Sequence, residues 1–433
     1  MTPRTGRSFL ALILTLSALG ACSVFEDKND RPPLPGERLS VLELQKSLEP
    51  DNTMLEAQGL ITPPEWKNEF WPQAGGYPNH SMQNLALAPD GLKRVWSADI
   101  GKGSTDKLPL TAQPILFDGK IFTLDTHAEL SAFDAETGQK LWKKNIGNAD
   151  EDDPVITGGL AFSNGILVAT NGFSEVLAIT PNDSAIIWRK NLPAPSRAAP
   201  TVLNGRVFVT TLDNKILALA ASDGSVLWEY RGIAEAAGLI GAASPAANND
   251  IVIPAFSSGE ISALRVANGS LTWTDNLSNT RGLGGLSTIS DIKALPIIDK
   301  GLIIAISFSG RMVAIDERTG IRVWQREISS SQTPWVAGNH IFVLSSENQL
   351  IALGRETGSI RWVTELPRID DGEVLTFTGP VLAGGRLIVA GTNGIIIEVN
   401  PETGDIINDW DAGATITIPP IVAGGTLYIL SEN

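Results

Sequence analysis

The chain has 433 residues, a formal charge of −15, 43% hydrophobic residues and one cysteine. That acidity excludes a nucleic-acid grip, which needs clustered lysine and arginine, and excludes electrostatic attachment to anionic lipid headgroups. A lone cysteine excludes an internal disulfide.

The first residues carry Arg4 and Arg7 and no acid, an apolar run follows from Phe9 to Leu19, and then comes Leu19-Gly20-Ala21-Cys22. A basic start, a short apolar stretch and small residues make a secretory signal. The run is too short for a spanning helix, which takes about 20 apolar residues. Residues 1–21 are therefore expected to be removed. The tetrapeptide resembles the bacterial lipobox. That resemblance implies a diacylglycerol on the Cys22 sulfur and an acyl chain on its new amino group, enough for stable anchoring. Ser23, where such proteins often carry an Asp if kept in the inner membrane, points by the same resemblance to the outer membrane. Residues 22–65 are rich in Pro, Asp, Glu and Asn and read as a lipidated N-terminus and linker, with one short helix around Leu39–Leu48.

An internal repeat follows. Six tryptophans each stand ten residues after an alanine: Ala132 and Trp142, Ala178 and Trp188, Ala218 and Trp228, Ala263 and Trp273, Ala314 and Trp324, Ala352 and Trp362. A seventh unit has Glu398 ten residues before Asn408. Between the two lies a turn such as Asp134-Ala-Glu-Thr-Gly138 or Asp316-Glu-Arg-Thr-Gly320. Asp can hydrogen-bond the local backbone there and Gly can take positive φ, joining two antiparallel strands. A proline opens each unit, 18 residues before the alanine position in most. Pro154 lies 24 before Ala178, which predicts an insertion near Ser163-Asn164-Gly165. Short apolar runs bounded by Gly, Asn and Asp make four strands per unit, and a period of about 44 residues matches propeller blades. The repeated tryptophan reads as a wedge between blades, with its N–H satisfied.

Counting prolines through Pro420 gives eight units, and so does counting tryptophan positions from Trp96. The expected fold for residues 66–433 is thus all-β: an eight-bladed propeller of four-stranded antiparallel blades. The offset between the counts predicts a ring closed by pairing N- and C-terminal strands. The last unit runs out near Asn433 before its third strand. Either several residues are lacking there or the N-terminus supplies two strands, around Leu85-Ala86-Leu87 and Trp96. A ladder between residues near 85 and near 428 would distinguish these.

Catalytic signals are sparse. His80, His127 and His340 are scattered without metal-ligand spacing and read as loop or surface residues. Gly-Leu-Gly-Gly at 282–285 has no following Lys-Ser or Lys-Thr and is no phosphate loop. The connections 232–244 and 277–295 are long, and long loops on one propeller face tend to carry function.

The Ala-x-Asp…Thr-Gly…Trp pattern resembles the quinoprotein-like propeller repeat, some of whose members are dehydrogenases that bind pyrroloquinoline quinone. This chain lacks the adjacent cysteine pair and the C-x-x-C-H haem motif that such enzymes often use. Together with the lipobox and acidic linker, the repeat resembles the BamB family, lipoprotein subunits of the outer-membrane β-barrel assembly machinery. Trp71-Pro-Gln-Ala-Gly-Gly and Val95-Trp-Ser-Ala-Asp-Ile-Gly-Lys-Gly are similar to the segments that open the propeller in that family. The resemblance implies a monomeric scaffold without cofactor or catalysis. It would be anchored in the outer membrane, face the periplasm and dock on the POTRA domains of BamA. The family's contact loops fall at Leu192–Pro200, where Arg197 matches, and at Leu286–Pro296, where Asp291 matches and Lys293 replaces a second Asp. Partner-binding residues are accordingly expected at Leu192, Arg197, Asp291 and Lys293. The alternatives are a lipid-anchored propeller for another envelope partner or a glycan, and a quinoprotein dehydrogenase.

Overall fold

The ten-residue spacing is a cross-strand pair. Ala132 lies opposite Trp142, Ala178 opposite Trp188, Ala218 opposite Trp228, Ala263 opposite Trp273, Ala314 opposite Trp324 and Ala352 opposite Trp362. Glu398 lies opposite Asn408 in the same register. In every case a bulge follows immediately, which sharpens the local twist.

The computed structural model describes residues 48–51, 60–88, 91–148, 154–233, 241–278, 291–370 and 372–432. Cys22, the signal segment, most of the linker and residues 39–47 of the expected helix lie outside them. Blade 1 is typical: β1 (Ile115–Phe117), β2 (Lys120–Leu124), β3 (Glu129–Asp134) and β4 (Lys140–Asn145) form one antiparallel sheet in sequence order. The first three strands are mostly buried and the fourth alternates toward solvent. Six further four-stranded sheets repeat this, at 159–191, 201–231, 246–276, 297–326, 335–365 and 377–411. An eighth blade begins with a two-stranded sheet, Ile421–Ala423 and Thr426–Tyr428.

The insertion expected near Ser163–Gly165 lies elsewhere. Asn164-Gly165 turns between the first two strands of blade 2, as Asn204-Gly205 does in blade 3. The first strand of blade 2 starts at Gly159, not directly after Pro154, so the extra residues belong to the connection before it.

The tryptophans are the wedges the repeat implied. Each indole N–H donates to a backbone carbonyl of the next blade: Trp142 to Pro181 (3.0 Å), Trp188 to Ala221 (2.9 Å), Trp228 to Val266 (3.0 Å), Trp273 to Glu317 (2.8 Å), Trp324 to Arg355 (2.8 Å) and Trp362 to Pro401 (3.0 Å). Trp96 does the same to Ala135 of blade 1 (3.1 Å), so it holds the wedge position of blade 8. Tyr428 of blade 8 packs on Trp96, with ring centroids 5.9 Å apart.

The expected ladder between residues near 85 and near 428 is not formed among the described residues. Leu85 instead donates to Leu382 and accepts from Gly384, both at the inner strand of blade 7. Trp96 reaches its place through side-chain contacts and lies outside any assigned strand.

Every wedge but Trp142 stacks on a turn glycine of the next blade. Gly320 has φ +72° and lies so close to Trp273 that an added Cβ would stand 2.5 Å from the indole. The left-handed conformation costs a side-chain residue about 1–2 kcal/mol before any clash. Gly320→Ala is expected to destabilise by at least about 2 kcal/mol in urea titration. Blade 2 carries Ser184 here at φ +58°, so Ser184→Gly is expected to leave stability unchanged or raise it.

Candidate partner-binding connections

Two sets of residues could meet a partner or ligand: the connections from each outer strand to the next inner strand, and the residues crossing the inner strands.

The connections are gripped by turns of the blades they join. Asn171 Nδ2 donates to Ile146 O (2.8 Å), Asn214 Nδ2 to Ile233 O (2.6 Å), Ser307 Oγ to Leu277 O (3.1 Å) and Asn348 Nδ2 to Leu375 O (2.8 Å). In blade 1 the buried Asp125 carboxylate accepts from the backbone N–H of Lys102, His127 and Glu129, each at 2.8 Å. A short polar side chain thus fixes each of these five connections.

Leu192 is buried in the core shared by blades 2 and 3, and its N–H donates to Ser174 O (2.7 Å). Arg197, five residues on, is half-buried at the rim. Its neighbours are pinned: Thr170 Oγ1 donates to Ala198 O (2.7 Å) and Leu212 N to Pro195 O (2.9 Å).

Asp291 and Lys293 lie two connections further round. Asp291 is only 3% exposed, and its carbonyl accepts from Phe308 N (3.1 Å). Burial pushes the Lys293 ammonium pKa down, opposed by the charge of Asp291. Leu295 N donates to Thr333 Oγ1 (3.0 Å), tying this connection to the next. Gly241, in the connection before blade 4, sits at φ +93°, and a Cβ there would lie 3.1 Å from Lys293 Cε. The structure therefore brings together Asp291, Lys293 and Gly241. Arg197 belongs to a separate connection.

The second set was not legible in the repeat. Residues 66–86 visit the inner strands of all eight blades in turn. Asn68 bonds Val422 O (2.9 Å) and Gly424 N (2.6 Å) in blade 8. Trp71 exchanges both backbone bonds with Leu116 of blade 1 (2.7 and 2.8 Å). Pro72 O accepts from Phe162 of blade 2 (2.7 Å), and Gln73 Oε1 accepts from Val202 of blade 3 (2.9 Å). Pro78 O accepts from Ala247 of blade 4 (2.7 Å) and Asn79 O from Ile298 of blade 5 (2.9 Å). Gln83 accepts from the Trp335 indole (2.7 Å) and Gly338 N (2.9 Å) of blade 6, and Leu85 pairs with blade 7. The segment closes on itself where Trp66 N donates to Asn84 O (3.0 Å) and Trp66 O accepts from Ala86 N (2.9 Å). It is a small loop inside the larger array, and Trp71, Gln73, His80, Met82, Asn84 and Leu85 are buried in it.

His80 and His340 are buried, contrary to the loop or surface placement their scatter suggested, while His127 is exposed. His80 Nδ1 bonds Pro296 O (2.7 Å) and its other nitrogen has no partner. No group of three or more His, Cys, Asp or Glu with metal-binding geometry occurs among the described residues.

A family profile described as outer membrane protein assembly factor BamB matches residues 82–165 and 126–364. The BamB of Yersinia pestis is 27% identical over 237 residues, 54% of this chain and 58% of that protein. The Escherichia coli BamB is 24% identical over 284 residues, 56% of this chain and 71% of that protein. The chain thus spans little more than half the length of the first of these relatives. Among solved structures, BamB from Moraxella catarrhalis superposes with TM-score 0.66 at 22% identity, covering 77% of this chain and 97% of that one. Quinohemoprotein alcohol dehydrogenase from Comamonas testosteroni also reaches 0.66, at 12% identity, covering 87% and 80%. Both likenesses concern the fold. A quinone cofactor does not fit the residues present: the chain has no cysteine pair, and its own residues 66–86 are bonded to the inner strands of every blade. The profile covers more than half of the sequence, and on that match, with its eight-bladed repeat, the chain belongs to the BamB family of outer membrane protein assembly factors.

Proposed function

We propose that the chain is a non-catalytic scaffold of the outer-membrane β-barrel assembly machinery that docks on the POTRA domains of BamA. The family match over residues 82–364 carries this reading. In it, Cys22 bears the lipid and the propeller hangs from the outer membrane on the periplasmic side as a monomer. The inter-blade connections meet the partner. Arg197 and Lys293 supply the side chains that touch BamA. Leu192 and Asp291 position them: Leu192 by anchoring its connection in the core, Asp291 by holding charge beside the half-buried Lys293. Arg and Lys at such a contact prefer an acidic POTRA surface.

The test uses the full lipidated chain as bait from membranes. Arg197→Glu with Lys293→Glu is expected to reduce BamA recovery by roughly tenfold or more, since a reversed charge at a desolvated contact costs over 1.4 kcal/mol. Undiminished recovery from the double variant, at unchanged urea midpoint, removes these two residues from the contact. Absence of BamA from the wild-type eluate removes the docking role itself.

A further inference from the structure

The fourth strand of each four-stranded blade leaves one edge open, and blade 6 shows what that edge can hold. Its outer strand, Ile360–Glu365, meets a short piece of the chain's own linker. Asp51 N donates to Ile360 O (3.2 Å), and Ile360 N donates to Asp51 Oδ2 (3.0 Å). The same carboxylate pairs with Arg326, which reaches across from the outer strand of blade 5. Arg326 Nε also donates to Gly358 O (2.7 Å), fixing the guanidinium beside the start of the strand. Three features meet here: outward backbone groups, an apolar residue two before the tryptophan, and a cation two after the preceding blade's tryptophan.

The repeat copies this geometry elsewhere. Leu353 pairs with Ile360 just past the bulge, as Ile179 pairs with Ile186 and Leu219 with Val226. In an antiparallel ladder the same register turns the same backbone groups outward. Ile360, where the linker lies, is 4% exposed, against 38% for Ile186 and 45% for Val226. The position two after the tryptophan reaches the next blade's turn in blade 6 as well, where Thr364 Oγ1 donates to Gly404 O (2.5 Å). That position is Lys144 in blade 1 and Lys190 in blade 2, and Tyr230, Asp275 and Trp410 in blades 3, 4 and 7. Among the described residues, only the edges of blades 2 and 3 therefore repeat all three features without a linker residue bonded to them. The Asp183 carboxyl pKa is lowered by the bonds the carboxylate accepts from Thr180 and Ala185 and, to a lesser degree, by the charge of Lys144.

We propose that the outer edges of blades 2 and 3, at Ile186 with Lys144 and at Val226 with Lys190, accept an extended acidic peptide from a partner protein. The peptide pairs its backbone with the open edge, sets a carboxylate between the strand N–H and the lysine, and covers the exposed Ile or Val. This is strand addition with an acidic requirement. Edge lysines ordinarily discourage pairing with another strand. Here the lysine stands where the chain's own fold places the cation that holds a carboxylate. An acidic chain that keeps cations at these two corners selects acidic partners by complementarity. The assignment goes beyond BamA docking, which was drawn at the inter-blade connections.

The test is a labelled peptide copying residues 45–56, titrated into the purified mature chain and followed by fluorescence anisotropy. Binding is expected at micromolar to millimolar concentration. It should weaken by about tenfold or more when the peptide carries Asp51→Asn or the protein carries Lys144→Glu with Lys190→Glu, a loss equivalent to one decade of Kd. A urea midpoint unchanged by the lysine substitutions excludes unfolding as the cause. A photo-crosslinking residue at Ile186 or Val226 is expected to capture the peptide. No binding at about 1 mM, equal binding by the lysine variant, or capture confined to a crosslinker at Ile360 each overturns the proposal.

Discussion

Trp71→Ala is expected to lower stability by about 3–5 kcal/mol, the range for deleting a fully buried large aromatic. Trp71 is 1% exposed and stacks on Trp335, with centroids 6.4 Å apart. Its indole donates to Gln113 Oε1 (3.3 Å), which also accepts from Gly75 N (3.0 Å), while Gln113 Nε2 donates to Pro419 O (3.2 Å). The truncation would therefore open a cavity and free a carbonyl acceptor that links the inner loop to the connection before blade 8. Trp66, also in that loop, is 37% exposed and serves as the comparison. Trp66→Ala is expected to cost about 1–2 kcal/mol, chiefly its bond to Met82 O. Urea unfolding followed by far-ultraviolet circular dichroism measures both. Equal, small effects would mean that residues 66–86 decorate the inner strands without stabilising them.

What the sequence made legible, and what it did not, follows from the range of the interactions. The alanine and tryptophan spacing is local: both residues lie on adjacent strands joined by one short turn. Asp134 and Asp316 accept from the N–H and hydroxyl of Thr137 and Thr319, respectively, within that same turn, so the motif is complete in the primary structure. The inner loop has no such period. Asn68, Gln73 and Gln83 each find a partner in a different blade, up to 354 residues away. Asn and Gln in a stretch with two tryptophans were the available signal, because buried amides need partners and such a cluster suits bonding to strand edges. Eight blades are present, whereas the strand near Leu85 offered as one way to complete the last blade is bonded to blade 7 instead, by partners that spacing cannot reveal. For the candidate site, the resemblance to the family's contact loops pointed to Asp291 and Arg197, because a lone charged loop residue carries little signal by itself. The buried state of Asp291 depends on packing around Ile292 and Ala294, which are apolar neighbours whose significance appears only in three dimensions.

Stability is expected to fall as the pH drops from about 6.5 toward 4, with His80 as a principal cause. Burial holds the His80 imidazole pKa down to about 4 from an ordinary 6.5, with the bond to Pro296 O opposing the shift. The sign follows from proton counting. Between those two values the unfolded chain binds the proton and the folded chain does not, so acid favours unfolding. The neutral ring's full contribution is present above pH 6.5 and is lost as the pH falls to the folded value. At pH 4.5 the loss is about 2–3 kcal/mol from this residue. His340, held down to about 4 by burial and by Arg361, adds with the same sign. His80→Asn isolates the first contribution, because Asn tolerates the φ of +59° found there and does not titrate in this range. Urea midpoints at pH 7 and 4.5 are expected to differ less in the variant than in the wild type by an amount matching that loss. Identical pH slopes would place the acid sensitivity outside the inner loop. A reduced slope would tie it to the one histidine that joins this loop to Pro296, at the end of the connection carrying Asp291 and Lys293. Acid would then loosen the inner loop and that connection together, and a partner contact made through Lys293 should weaken over the same pH interval.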